Sequence, residues 1–253
     1  MKERLKILKI WVDNVTMSKA LAYVELFLKN CRRPHFIVAV NPEKNFSIHK
    51  DKQLYKTVKE ADLLIPDGIG IILAARILYG VRLSRVTGIE LMEKICELAQ
   101  SQGYKIFIYG AREEINKNAV NVLLNRYPRL AIVGRANGYL KDEEMCNLIE
   151  EINISQAEIL FLALGSPKQE KWFSIYKNRL KNIKVCQGIG GTLDTISGNV
   201  KRAPILWQKY FVEWLYRLLT DPQRIKRQKV LPIFIFMIIV TKLTSIAGFK
   251  VAE

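Results

Sequence analysis

The stretch Leu63-Leu64-Ile65-Pro66-Asp67-Gly68-Ile69-Gly70 decides how this chain folds. An apolar run ends at a proline, and a carboxylate follows it. Beyond Gly70, the positions Ile71, Ile72, Ala75, Ile77 and Leu78 are spaced as one face of a helix. The pattern predicts a buried strand that delivers one acid to a strand-to-helix turn. In open parallel sheets that carboxyl edge is where ligands bind. Asp67 has two readings: a cap on the helix that follows, or an acid of a binding site. Eight residues leave both open.

Working outward, Phe36-Ile37-Val38-Ala39-Val40 is a continuous apolar run of the kind found in a doubly covered parallel strand. It stops at the polar turn Asn41-Pro42-Glu43-Lys44-Asn45. Residues 5 to 12 read as an edge strand, and Ser18 as the cap of the helix that follows. Downstream, Thr87-Gly88 opens a helix that runs through Gln102. Lys105 to Tyr109 read as a strand, Gly110-Ala111 as a tight turn, and Glu113 to Arg126 as a helix. Leu130 to Val133, Ile159 to Leu164 and Ile183 to Cys186 read as strands, with helices at 142–153 and 168–180. Such alternation predicts an α/β core, a parallel sheet with helices on both faces.

The totals bound the rest. At 253 residues and 49% hydrophobic, the chain can bury a sizeable core. A formal net charge of +16 implies an anionic partner: nucleic acid, an acidic lipid surface or a phosphate-bearing substrate. Charge alone does not choose among them. Cys31, Cys96, Cys146 and Cys186 are scattered without a Cys-x-x-Cys pair, and His35 and His49 add no metal pattern. The cysteines read as reduced and mostly buried. The basic N-terminus is followed by no signal-peptide core, so secretion by that route is not expected.

Composition changes at Lys201, which divides the core from an appendage over residues 201–253. Between Lys201 and Lys229 stand eight lysines and arginines against two acids, with Trp207, Tyr210, Phe211, Trp214 and Tyr216 among them. The apolar run Val230 to Val240 follows, about half the roughly 20 residues that a membrane span needs. It reads as an element lying in a membrane interface behind a basic lead-in. The plainer reading is a C-terminal helix packed on the core.

Familiar chemistries drop out. There is no P-loop, no Gly-x-Ser-x-Gly elbow and no Asp-x-Asp, and Gly68-x-Gly70 and Gly188-x-Gly190 lack the third glycine or alanine of a dinucleotide fingerprint. What remains is a set of strand ends: Asn41 and Glu43, Asp67, Gly110, Leu164-Gly165-Ser166-Pro167-Lys168-Gln169-Glu170, and Gln187-Gly188-Ile189-Gly190-Gly191-Thr192. All should gather on one sheet edge, where glycines and helix N-termini favour a diphosphate. Ser166-Pro167 also reads as a helix cap with proline at the first helical position. Arg85 is either a fork for phosphate or carboxylate, or a solvated surface arginine.

The ordered set Asn41-Pro-Glu, Pro66-Asp67-Gly-Ile-Gly, Arg85-Val-x-Gly88, Gly165-Ser-Pro-Lys-Gln169-Glu170, Gly188-Ile-Gly-Gly-x-x-Asp194 and Lys201-Arg-Ala-Pro204 resembles the WecG/TagA/CpsF glycosyltransferases. Glu213-Trp214-Leu-Tyr-Arg217 and Pro222-x-Arg224 continue the match. The resemblance implies a Rossmann-like α/β core over residues 1–200, with a C-terminal appendage that helps membrane attachment and completes the active site. It also implies an inverting, metal-independent enzyme of bacterial surface-polymer synthesis that uses no cofactor. It would move N-acetylmannosamine, or a related sugar, from a UDP donor to N-acetylglucosamine on undecaprenyl diphosphate.

By the same resemblance Asp67 is the catalytic base, and Asn41, Arg85 and Gln169 orient donor or acceptor. Arg217, Arg224 and Arg227 of the appendage would face the diphosphates. Gly110, Gly188 and Gly190 complete the expected substrate-binding set. The enzyme is expected at the cytoplasmic face of the cell membrane, on an anionic surface. Where the family usually carries threonine, two residues before Asn41, this chain has Ala39, which bears on how the acceptor is held or on which acceptor is used. Apolar surface left without a membrane would favour self-association. A basic nucleic-acid-binding protein is the rival that the charge invites, but no binding module is present. A non-catalytic nucleotide-binding scaffold on the membrane is another.

Overall fold

Strands that are apolar at successive positions need cover on both faces. The computed structural model supplies it; it describes residues 3–30, 33–48, 51–201, 203–204, 206–207, 214–216 and 230–246. A hairpin of β1 (Arg4–Ile7) and β2 (Ile10–Asp13) comes first, then α1 (Met17–Lys29), β3 (His35–Val40), α2 (Pro42–Ser47), α3 (Lys52–Glu60) and β4 (Leu63–Pro66). Next are α4 (Ile69–Tyr79), α5 (Gly88–Gln102), β5 (Lys105–Gly110), α6 (Glu113–Arg126) and β6 (Ala131–Ala136). Then come α7 (Met145–Ile154), β7 (Ile159–Ala163), α8 (Lys168–Tyr176), β8 (Val185–Gly188), α9 (Thr192–Ile196) and α10 (Val230–Ile246).

Strands β3 to β8 form one parallel sheet in the order β4-β3-β8-β7-β5-β6. Side chains alternate between two cores. Phe36, Val38, Leu64, Phe107, Leu160 and Cys186 point into the core shared with α7, α8 and α10. Ile37, Leu63, Ile65, Ile106, Phe161 and Val185 point into the core shared with α1, α5 and α6. Burial pushes the Cys96 thiol up to about 12 and raises that of Cys186 as well, so both are inert packing groups.

Three elements depart from the sequence expectation. The edge strand expected over residues 5–12 is instead a separate two-stranded hairpin, because Leu8 takes a left-handed turn at φ 54° and folds Ile10 back beside Ile7. Asp13 at its end is fully buried; it pairs with Arg4 at 2.6 Å and accepts from the Leu64 N–H at 2.8 Å, which shields the edge of β4. Helix α1 is capped by Thr16, whose hydroxyl accepts from Lys19 N–H, and not by Ser18. Helix α8 has Pro167 at its N-cap with no side-chain cap, so Ser166 does not cap it.

Helix α10 packs on the core, as the plainer reading of the C-terminal apolar run expects. Phe234 and Ile238 are buried in the core, and the helix packs against α4 and α2. Phe234 lies against Gly70 at the start of α4, and Lys242 Nζ donates to the Leu78 carbonyl near its end. The two helices therefore run side by side in the same direction. The other face of α10 exposes Ile233, Ile235, Phe236, Ile239, Val240 and Leu243. Among the described residues, no helix is long and apolar enough to cross a membrane.

Candidate active site

The parallel register puts the expected residues at one edge. Val40 pairs with Pro66, Val38 with Gly188, Leu162 with Gly188, and Gly110 with Ala163. The turns after β3, β4, β5, β7 and β8 therefore open at the carboxyl edge of the sheet. The concavity of about 660 Å³ between Arg33, Lys105, Glu158, Lys181 and Lys184 lies at the opposite, amino edge.

Asp67 is fixed through its backbone. Its N–H and that of Gly68 donate to the Val40 carbonyl at 3.2 and 3.3 Å, and the Arg85 Nε donates to the Asp67 carbonyl at 3.1 Å. The neighbouring Pro66 carbonyl accepts from Val86 N–H at 3.0 Å. Arg85 is thus half-buried and engaged with the Asp67 turn, not a solvated surface arginine. Helix α4 has Gly68 at its N-cap with no side-chain cap bond, which removes the capping reading of Asp67. The half-buried carboxylate turns instead toward Gly88, the first residue of α5. Ala39 faces the same spot, so the position where threonine was expected lines the space beside the acid.

The glycines separate by role. A β-carbon on Gly70 would stand 2.6 Å from Pro42 Cγ, and one on Gly68 3.0 Å from Pro42 Cδ, so these two let the β3 and β4 turns pack together. Gly188 leaves room for the Gln169 amide, whose Nε2 would otherwise lie 2.5 Å from a β-carbon. The Gly190 N–H donates to Gln169 Oε1 at 3.0 Å. Gly110 sits at φ 129° with its α-carbon against the Ala163 backbone, and its carbonyl accepts from Asn116 Nδ2.

Asn41 accepts from Lys44 N–H through Oδ1 at 2.8 Å and so caps α2. Asn41 and Asp67 are brought together by the Gly68 and Gly70 contacts; Gln169, Gly188 and Gly190 form a second group; Gly110 lies farther along, beyond β8 and β7. Arg217, Arg224 and Arg227 lie outside the described residues.

Two connections were not foreseen. Lys44 and Glu170 form a buried ion pair that joins the β3 and β7 turns. Gln187, fully buried in β8, donates through Nε2 to the Gly88 carbonyl at 2.8 Å and holds the start of α5 beside Asp67. A polar residue inside the otherwise apolar run before Gly188 was the available signal for Gln187. Among the described residues, no three carboxylate, histidine or cysteine side chains gather as they would to hold a metal ion.

A doubly wound parallel sheet with a held acid and glycine-lined turns at its carboxyl edge is the framework of an α/β enzyme whose substrates meet at that edge. The chain matches the model of the Glycosyl transferase WecG/TagA/CpsF family over residues 5–247, and it belongs to that family. It is a glycosyltransferase. Among its relatives is the N-acetylglucosaminyldiphosphoundecaprenol N-acetyl-beta-D-mannosaminyltransferase of Staphylococcus aureus strain MRSA252, 33% identical over 93% of this chain and 92% of the relative. Proteins of the same name from Bacillus subtilis strain 168 and Bacillus spizizenii are 31% and 30% identical, each over 87% of this chain and 84% of the relative.

Proposed function

We propose that this enzyme transfers N-acetylmannosamine from a UDP donor to N-acetylglucosamine carried on undecaprenyl diphosphate, with inversion and without a metal. The observation that carries the sugar and the acceptor is the similarity, over 93% of the chain, to a transferase whose name states both. In the reaction the acceptor hydroxyl oxygen attacks the anomeric carbon of the donor. Asp67 takes the hydroxyl proton, and the bond from the anomeric carbon to the diphosphate oxygen breaks with its electron pair left on UDP. A base needs a fixed backbone and a carboxylate not spent on capping, and the Asp67 turn supports both requirements.

Asn41, Arg85 and Gln169 orient the substrates. Arg217, Arg224 and Arg227 of the appendage meet the charge that develops on the leaving diphosphate, which is the electrostatic contribution expected where no metal takes part. The exposed apolar face of α10 rests on the cytoplasmic leaflet, with the cations of the chain toward anionic head groups. That contact brings a lipid-borne acceptor to the edge where Asp67 stands.

The test is release of UDP from UDP-N-acetylmannosamine in the presence of a lipid-diphosphate N-acetylglucosamine analogue, run with and without EDTA. Transfer that persists in EDTA, with an inverted anomeric configuration in the product, is the expected result. No transfer from any UDP-sugar would overturn the donor assignment, and loss of transfer in EDTA would overturn metal independence.

A further inference from the structure

The side chains of Lys44 and Glu170, 126 positions apart in the chain, pair in the interior with 5% and 0% exposure. Their strands are not neighbours: β8 lies between β3 and β7. Two strand spacings are about 10 Å, a gap that only a long side chain meeting another can bridge. Each end of the bridge is tied to a site turn. The Lys44 N–H donates to Asn41 Oδ1 at 2.8 Å, Gln169 Nε2 contacts Glu170 Oε1 at 3.4 Å, and Gln169 Oε1 accepts from the Gly190 N–H at 3.0 Å. One polar chain thus runs from the β3 turn through the β7 turn to the β8 turn.

From this geometry we infer that the Lys44–Glu170 pair is a positioning device of the transfer site. It sets the distance between the Asn41 turn and the Gln169 amide. The inference rests on the transfer reading given above for the role of Asn41 and Gln169. Stability is a poor explanation for the pair. A buried ion pair often does no better than well-packed apolar residues of similar volume. This one also leaves Glu170 Oε2 buried without a hydrogen-bond partner among the described residues. What apolar side chains cannot supply is a directional link that holds Gln169 and, through it, Gly190.

The experiment uses the full chain in two variants: Glu170→Gln, and the double replacement Lys44→Met with Glu170→Leu. Three quantities are read: Tm, kcat and KM in the UDP-release assay well below Tm, and amide hydrogen exchange over residues 188–194. The double variant is expected to keep or raise Tm while kcat/KM falls at least tenfold and the Gly190 amide exchanges at least tenfold faster. A double variant with wild-type Tm, kcat/KM within twofold and unchanged Gly190 exchange would overturn the inference. Should the double variant fail to fold, kcat/KM and Gly190 exchange are read on Glu170→Gln well below its own Tm, which loss of one charge of the pair is expected to lower, and the same thresholds for those two quantities support or overturn the inference. If the wild-type chain transfers no sugar, the donor reading falls, and exchange at Gly190 still decides whether the pair holds that turn.

Discussion

The Asp67 carboxylate faces Gly88: its Oδ2 lies 3.9 Å from the point where a β-carbon on Gly88 would stand, and Ala39 Cβ lies 3.7 Å from that same point. An acid from the end of β4 therefore looks onto the N-terminus of α5 across a space that only a glycine leaves open. The Gln187 amide fixes that space from below by holding the Gly88 carbonyl.

Asp67→Asn should fold normally, because the replacement has the same shape, the side chain does not cap α4, and the backbone bonds of the turn are unchanged. If Asp67 is the base, kcat in the UDP-release assay falls by about 10²–10⁴. A variant that kept near wild-type turnover would remove Asp67 from that role.

Gly88→Ala tests the open space itself. The added methyl meets Ala39 and Asp67 at ordinary contact distances, and alanine in a helix is favoured over glycine by up to about 1 kcal/mol, so Tm should hold or rise. The methyl takes room beside the carboxylate, and KM for the acceptor should rise about tenfold or more. An unchanged KM would place the acceptor elsewhere.

The two faces of α10 should respond differently. Phe236 is 66% exposed and Ile239 47%, so Phe236→Glu with Ile239→Glu should leave Tm within about 2 °C, since surface changes of this kind cost little. The same pair should weaken binding to anionic vesicles by at least tenfold in a flotation assay. Phe234→Ala should instead destabilise the fold by about 3–5 kcal/mol, measured by denaturant unfolding. Unaltered vesicle binding by the outward pair would argue that this face meets protein and not lipid. Point substitutions are cleaner than deleting residues 230–253, because deletion also uncovers the core beneath Phe234.

Acid should weaken the fold through Asp62, at the amino edge of the sheet. Burial works to raise its pKa, but the Arg33 guanidinium, the Phe36 N–H and His35 outweigh it, and the net shift is downward from 3.8. A carboxylate with a depressed folded pKa contributes stability that is present above its unfolded value and lost as pH falls through the folded one. Below about pH 4 the wild type should therefore lose Tm more steeply than Asp62→Asn, as followed by thermal melts between pH 6 and 2. Parallel curves would exclude Asp62 as a source of the acid sensitivity.

Local signals carried much of the fold. The doubly apolar strands, the Thr87 cap, the helix at Glu113–Arg126 and the Gly110-Ala111 turn are all legible because each is written within a few neighbouring residues. The hairpin was not, since residues 5–12 are uniformly suited to a strand and only Leu8 at positive φ divides them. The candidate site was half legible. Asn41, Asp67 and Gln169 stand at recognisable strand ends, but their hydrogen-bond partners come from other turns.

By itself, the sequence determined an α/β core with a parallel sheet, one acid at a strand end, and a family written in short ordered motifs. Those properties depend on periodicity and on residues adjacent in the chain. Tertiary structure alone decided that Asp67 does not cap α4, that Lys44 meets Glu170, that Gln187 holds Gly88, and that α10 buries one apolar face while exposing the other. Each of these joins residues far apart in the chain. A contact across the sheet follows from strand order and register, and neither leaves a trace in local composition.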